Sequence, residues 1–174
     1  FILETILSQF PRLFAVIIIV QHLPGNFTET FRSHISILTA MKVMIASDNQ
    51  QISEGEILVA PAGKHLILEK NRIIRFHEGE KLHGVRPAAD CTMLSLINRV
   101  DDKLAGIVLT GMGQDGANGI VHISNLKGLT IVQDPMTAAI MSMPQSAIET
   151  GKVREILSPA EIREALIRFG SGKT

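Results

Sequence analysis

The chain has 174 residues, of which 45% are hydrophobic and 20% charged, so it is long enough to bury the core of one globular domain. Lys+Arg and Asp+Glu balance at 17 each, and Trp and Tyr are absent, which excludes the basic surface and stacking platform of a nucleic-acid-binding protein. One cysteine, Cys91, allows no internal disulfide, and the longest apolar stretch, residues 14–20, is too short to span a membrane. We therefore expect a cytoplasmic protein without membrane insertion, whose lone thiol is structural rather than nucleophilic.

A helix is predicted first, because the apolar residues of FILETILSQF follow the i, i+3, i+4, i+7 spacing of one helix face. Short β-branched runs with little alternation then predict strands that are covered on both faces. These runs are AVIIIV (15–20), KVMIA (42–46), EILVA (56–60), LAGIVLT (104–110) and LTIVQ (129–133). HLILEK and RIIRF, which flank Asn71, predict a β-hairpin at a sheet edge.

Further helices are predicted between these runs, within NFTETFRSHISILTA, in DCTMLSLINRV with Asp90 as N-cap, and in GANGIVHISNL. In SPAEIREALIRFG, Ser158 and Glu161 form a capping box and Gly170 ends the helix. The alternation predicts a doubly wound α/β domain, with a mostly parallel sheet, helices on both faces and an edge hairpin. We expect one domain over residues 1–170 and a frayed tail at 171–174.

The order of the elements is unusual at the N-terminus. The chain opens on a helix pattern, whereas a doubly wound domain usually starts with a strand whose following turn often carries function. We therefore expect the sequence to begin after a first strand and its strand-to-helix turn.

His22 is the strongest single candidate for a catalytic or ligand-binding residue. It follows the Val/Ile run directly, and ligands of an open parallel sheet bind at the carboxyl ends of its strands. The residues also leave open a hydrogen-bonded histidine that only terminates a strand. The six histidines show no spacing typical of a zinc site, so no metal is expected.

Residues 111–116, GMGQDG, match the G-x-G-x-x-G fingerprint of dinucleotide-binding turns. Asp134 even lies near the spacing of the ribose-binding acid. Against this interpretation, Asp115 already places a negative charge where a phosphate would bind, and the turn lies past the middle of the chain. A purely structural glycine turn is the simplest alternative.

A third interpretation combines His22 with Asp115. A carboxylate beside a helix N-terminus stays ionised at neutral pH, and an ionised aspartate that hydrogen-bonds an imidazole orients the ring and stabilises the imidazolium. Two such groups from neighbouring strand ends would supply two members of a Ser-His-Asp triad. The absent member, a nucleophile on a strand-to-helix turn, is the element that the chain's start also lacks.

Several segments of the chain, including those that contain these residues, resemble the motifs of a known family. VQHLPGNFTETF resembles the V-Q-H-M-P-x-x-F-T segment of the catalytic domain of chemotaxis protein-glutamate methylesterases, the CheB family. Four further segments resemble the family's motifs in the family's order: ILVAPAGKHL, VRPAADCTMLSL, GIVLTGMGQDGANG and TIVQDPMTAAIMSMPQSAIETG. The resemblance runs from about Leu3 to about Leu157, with mild departures at Ala62 and Ala88.

The resemblance implies a cytoplasmic enzyme that hydrolyses glutamate methyl esters on methyl-accepting chemotaxis receptors, and can deamidate receptor glutamines, without a cofactor. It places the triad histidine on His22, the triad aspartate on Asp115 and one oxyanion-hole N–H on Met112. The nucleophilic serine would lie a few residues before Phe1, so the chain itself is expected to be inactive. A receiver domain or response regulator is a further partner in the family, and a catalytically inactive receptor-binding module is the main alternative.

Overall fold

The computed structural model describes residues 2–97 and 103–171. Its helices are α1 (Ile2–Leu7), α2 (Thr28–Ser36), α3 (Ala89–Leu94), α4 (Ala117–Asn125), α5 (Ser142–Glu149) and α6 (Pro159–Gly170). Its strands are β1 (Ile17–Ile19), β2 (Lys42–Ile45), β3 (Glu56–Val59), β4 (His65–Leu68), β5 (Ile74–His77), β6 (Ala105–Val108), β7 (Leu129–Gln133) and β8 (Glu155–Leu157). Within these ranges, no helix has the length and apolarity needed to cross a membrane.

The strands form two parallel sheets and one antiparallel hairpin. The parallel sheets have the orders β1-β3-β2 and β6-β7-β8, and β4 pairs with β5 in the hairpin. Alternate residues of β7 face opposite layers, because Ile131 packs with α1 and α6 while Val132 packs with α4 and α5. The predicted α/β class, with parallel strands and helices on both faces, is confirmed.

A cleft of about 660 Å³ separates the two parallel sheets. Residues 15–22, which include β1, line one side, and residues 103–111, which include β6, line the other. Leucine and isoleucine side chains of α1 and α6 close one face of the cleft, and α3 contributes to the other. Among the described residues, β1 and β6 are each the outer strand of their sheet, so each has one unpaired edge, and residues of both strands line the cleft.

Three helix ends were predicted from capping signals, and the structure shows what forms each of them. The capping box of Ser158 and Glu161 is confirmed at the start of α6. Gly170, however, is the last residue of α6 rather than a left-handed stop, and a Cβ there would lie 2.9 Å from Leu13 Cβ. Asp90 as N-cap was wrong: α3 begins at Ala89, and its N-cap Ala88 has no capping side chain.

Two elements were missed by the sequence patterns. Helix α5 starts at Ser142, in a methionine-rich segment for which no element was predicted, and the three-residue strand β8 has no continuous apolar run. The pattern DCTMLSLINRV extends into residues 98–102, which lie outside the described residues. The same holds for 172–174 of the predicted tail, whereas Ser171 is the C-cap of α6.

Candidate active site

His22 and Asp115, the predicted histidine and aspartate of a triad, are in direct contact. His22 lies three residues beyond the end of β1, and its Nε2 is 2.7 Å from Asp115 Oδ2. The imidazole is 26% exposed and the carboxylate 2%, so the pair presents its histidine side to solvent. Since Nε2 binds the carboxylate, Nδ1 is the ring nitrogen that remains to accept a proton.

Asp115 is held by the turn between β6 and α4. Gly116, the N-cap of α4, has a left-handed conformation with φ of 94°, which costs a glycine little. A Cβ at Gly116 would lie 2.8 Å from Val108 Cγ2, so the turn also passes close to β6. The glycine allows the chain to reverse sharply here, directly after the buried aspartate.

The carboxylate of Asp115 caps a helix other than the one it precedes. Its Oδ2 accepts a hydrogen bond of 2.7 Å from Ala89 N–H, and its Oδ1 accepts one of 2.9 Å from Asp90 N–H. These are the first two residues of α3, whose own N-cap has no polar side chain. The sequence associated Asp115 with the N-terminus of the following helix, and the structure corrects this to the N-terminus of α3.

These contacts set the charge of Asp115. Burial alone would raise the pKa of its carboxyl, but the hydrogen bond from His22 and the N–H groups of Asp90 and Ala89 outweigh burial and hold that pKa below its ordinary value. Asp115 is therefore ionised at neutral pH. A fixed carboxylate on Nε2 orients the imidazole and stabilises a positive charge that develops on it.

Met112 lies on the exposed side of the same turn. The N–H groups on both sides of it are taken, since Gly111 N–H donates to Ile140 O and Gly113 N–H donates to Ser142 Oγ at 3.1 Å. Among residues 2–97 and 103–171, no group accepts a hydrogen bond from Met112 N–H. The backbone at Met112 thus has a donor that is available to a ligand.

Three residues beside the pair were not singled out as functional by the sequence. His83 Nε2 lies 2.9 Å from Asp90 Oδ2, and Gln114 Nε2 lies 3.1 Å from His83 Nδ1. His83 comes from a polar loop and Gln114 from the glycine-rich turn, so no periodicity or motif connects them. Only the packing of α3 against α4 brings them together.

His83, Asp90 and Asp115 each place one potential ligand atom within 4.8 Å of the others. Their carboxylate oxygens, however, already accept hydrogen bonds from N–H groups: Asp115 from α3, and Asp90 from Gly119 of α4 and from Asn118 Nδ2. N–H dipoles that point at these oxygens oppose a cation at the same position. The donor set does not fit a metal, and the expectation of a metal-free site remains a prediction.

The dinucleotide interpretation of GMGQDG finds little support in the hydrogen bonds. Near the start of α4, Ala117 N–H donates to Gln114 O and Gly119 N–H donates to Asp90 Oδ1, so these donors are not free for a phosphate. The Asp134 carboxylate accepts from Met136 N–H in its own turn, Pro135–Thr137. An aspartate that caps its own turn is engaged locally rather than by a ribose.

The α/β fold thus brings an imidazole–carboxylate pair together in the segments that follow β1 and β6. Residues 2–166 match the family model described as CheB methylesterase, and the chain belongs to this family. The crystal structure of the Thermotoga maritima CheB methylesterase catalytic domain is similar with a TM-score of 0.90 at 30% identity, covering 97% of this chain and 91% of that one.

Two relatives, each named protein-glutamate methylesterase/protein-glutamine glutaminase, extend the comparison. The Pyrococcus abyssi protein is 37% identical over 172 residues, which are 95% of this chain and 47% of the relative. The Symbiobacterium thermophilum protein is 36% identical over 154 residues, 88% of this chain and 42% of the relative. The chain therefore spans less than half the length of these two relatives.

Proposed function

We propose that this chain is the catalytic domain of a protein-glutamate methylesterase that also deamidates glutamine side chains. The observation that carries the proposal is the 2.7 Å contact between His22 Nε2 and Asp115 Oδ2 at the carboxyl ends of two parallel strands. It is the histidine–carboxylate half of a Ser-His-Asp device, in a family whose relatives are named for ester and amide hydrolysis.

His22 acts as the general base in this mechanism. Its Nδ1 takes the proton of a serine hydroxyl as the serine oxygen attacks the γ-ester carbonyl, and Asp115 stabilises the imidazolium that forms. The Met112 N–H donates to the developing oxyanion. Nδ1 then returns the proton to the departing methanol, and water repeats the cycle on the acyl-enzyme to give a free glutamate.

The serine is proposed to come from a strand-to-helix turn that precedes Phe1. No serine hydroxyl of the described residues hydrogen-bonds His22. The 660 Å³ cleft between β1 and β6 has two unpaired parallel edges and ends at His22 on one side and Gly111 on the other. A parallel strand in that cleft would deliver the turn that follows it to the imidazole.

A protein substrate is supported by the surface beside the pair. Four large apolar side chains are exposed at the carboxyl ends of β6 and β7: Met112, Met136, Ile140 and Met141. Exposed, flexible methionine side chains are typical of surfaces that bind other proteins, and they would contribute less to binding a small polar ester. We propose methyl-accepting chemotaxis receptors as the substrates, with the methylated glutamate entering at His22.

The test is hydrolysis by the parent protein, including the residues before Phe1. Release of methanol from methylated receptor is expected, and His22→Ala is expected to lower kcat by several orders of magnitude. Glu164→Gln, which changes an exposed carboxylate of α6, is the control and should keep the activity. Full activity of His22→Ala would refute the mechanism.

The same experiment separates the alternatives. Saturable receptor binding without hydrolysis, together with a parent sequence that has no serine in the preceding turn, would support an inactive receptor-binding module. Saturable micromolar binding of NAD or ATP would instead revive the dinucleotide interpretation of residues 111–116.

A further inference from the structure

Asp90 is a second buried carboxylate in the same network, and it has no role in the mechanism above. It is fully buried in α3, where its Oδ1 accepts a 2.7 Å hydrogen bond from Gly119 N–H in the first turn of α4. Its Oδ2 accepts from His83 Nε2–H at 2.9 Å and from Asn118 Nδ2 at 3.3 Å. The N-cap of α4, Gly116, has no side chain, so Asp90 supplies the cap from the neighbouring helix.

The two aspartates cap each other's helices. Asp115, just before α4, accepts from the first N–H groups of α3, and Asp90, in α3, accepts from an N–H group of α4. Each carboxylate also binds one imidazole, His22 on Asp115 and His83 on Asp90. A displacement of either helix start therefore disturbs the acceptor of the other.

Gln114 connects His83 to the catalytic turn. Its side-chain Nε2 is 3.1 Å from His83 Nδ1, and it directly precedes Asp115 in the chain. An amide Nε2 only donates, so Nδ1 must be the acceptor and Nε2 must carry the proton that is donated to Asp90. The tautomer of His83 is thus fixed by one partner on each nitrogen.

We propose that Asp90 and His83 are positioning residues for the His22–Asp115 pair. Asp90 fixes the start of α4 relative to α3, and His83 ties Gln114 to Asp90, so the short segment that contains Asp115 is held on both sides. The catalytic consequence rests on the proposed esterase function. The positioning itself does not, because it is a property of hydrogen bonds that exist in this chain.

The test is nitrogen and proton NMR of the histidine rings in the chain itself, with His83→Ala, Gln114→Ala and Asp90→Asn. Loosening the turn should expose the His22 Nε2 proton, so we expect its solvent exchange to become about tenfold faster in all three variants. The amide proton of Ile131 in β7 is the internal reference for global opening. Gln114→Ala removes an exposed side chain and keeps the test valid if Asp90→Asn fails to fold.

Asp90→Asn carries a second signature that a merely structural role would not produce. An asparagine side-chain NH₂ can donate to His83 Nε2, so His83 should change to the Nδ1–H tautomer and lose its bond from Gln114. His83→Gln offers a donor and an acceptor in place of the two ring nitrogens, and we expect it to restore slow exchange of the His22 proton. Asp134→Asn, a cap outside this network, should leave both histidines unchanged.

The outcomes are distinct. Exchange of the His22 proton that stays within about twofold of the unmodified chain in His83→Ala and Gln114→Ala overturns the proposal. An acceleration matched by the Ile131 amide also overturns it, because the effect is then global unfolding. Neither result depends on esterase activity, so a failure of the proposed function would be seen separately, as absent methanol release with intact histidine signals.

Discussion

His22 and Asp115 are 93 positions apart in the chain and are joined by a 2.7 Å hydrogen bond. His22 is carried by the segment after β1 and Asp115 by the segment after β6, and these strands belong to different sheets on the two sides of the cleft. The carboxylate is nearly inaccessible while the ring is partly exposed, which suits the proposed roles of His22 as the base and Asp115 as a fixed negative charge behind it.

The charge of Asp115 is expected to dominate catalysis. The proposed triad predicts that Asp115→Asn in the parent protein lowers kcat by a factor on the order of 10⁴, because an amide does not stabilise the imidazolium. Steady-state methanol release measures the effect, and KM should change much less than kcat. Near-full activity of Asp115→Asn would mean that Asp115 is not the triad carboxylate.

Asp115 should also make the stability of the chain sensitive to acid. Its pKa is lowered in the folded state, so its stabilising contribution is present above the unfolded value of about 3.8 and is lost as pH falls through the folded pKa. Urea unfolding of the chain and of Asp115→Asn should therefore converge in free energy as pH is lowered below about 3.8. A constant difference across this range would contradict the assignment.

Cys91 should react slowly with thiol reagents at neutral pH. Burial, followed by the nearby charges of Asp115 and Asp90, raises the pKa of its thiol, so the reactive thiolate is rare. Reaction with a disulfide reagent at pH 7 should be slower than for a free thiol and should accelerate on unfolding. Rapid labelling of the folded chain would contradict this expectation and would support a nucleophilic role for Cys91.

At Gly119, helix α4 lies close to α3. A Cβ at this position would lie 2.6 Å from Met93 Cβ, so Gly119→Ala should destabilise the chain although alanine favours a helix by about 1 kcal/mol. Gly25→Ala is the control, since a Cβ there meets nothing within 4 Å. Thermal unfolding should show a lower Tm for Gly119→Ala only.

The cap of α6 is expected to make a smaller, local contribution. Ser158→Ala removes the acceptor of Glu161 N–H and should cost about 1 kcal/mol, or about 2–4 °C in Tm. Ser158→Asp retains a capping oxygen and should recover most of the loss. An unchanged Tm in Ser158→Ala would show that the capping box contributes nothing measurable.

The sequence by itself determined the elements whose cause is local. Strands β1, β2, β3, β6 and β7 follow from short β-branched runs, and α6 follows from Ser158 and Glu161, because propensity and capping act over a few residues. Strand β8 and helix α5 could not be predicted this way, since three residues and a methionine-rich segment give no clear period. The position of His22 after β1 marked it as a candidate without any structure.

Only the tertiary structure decided which groups meet. That His22 binds Asp115 through Nε2, and that Asp115 caps α3 while Asp90 caps α4, depends on how helices and strands far apart in the chain pack together. Ala88 and Gly116 leave both helix starts without capping side chains, so their N–H groups must find acceptors elsewhere. The local sequence therefore shows that these N–H groups require acceptors from elsewhere in the chain, and only the packing determines which residues provide them.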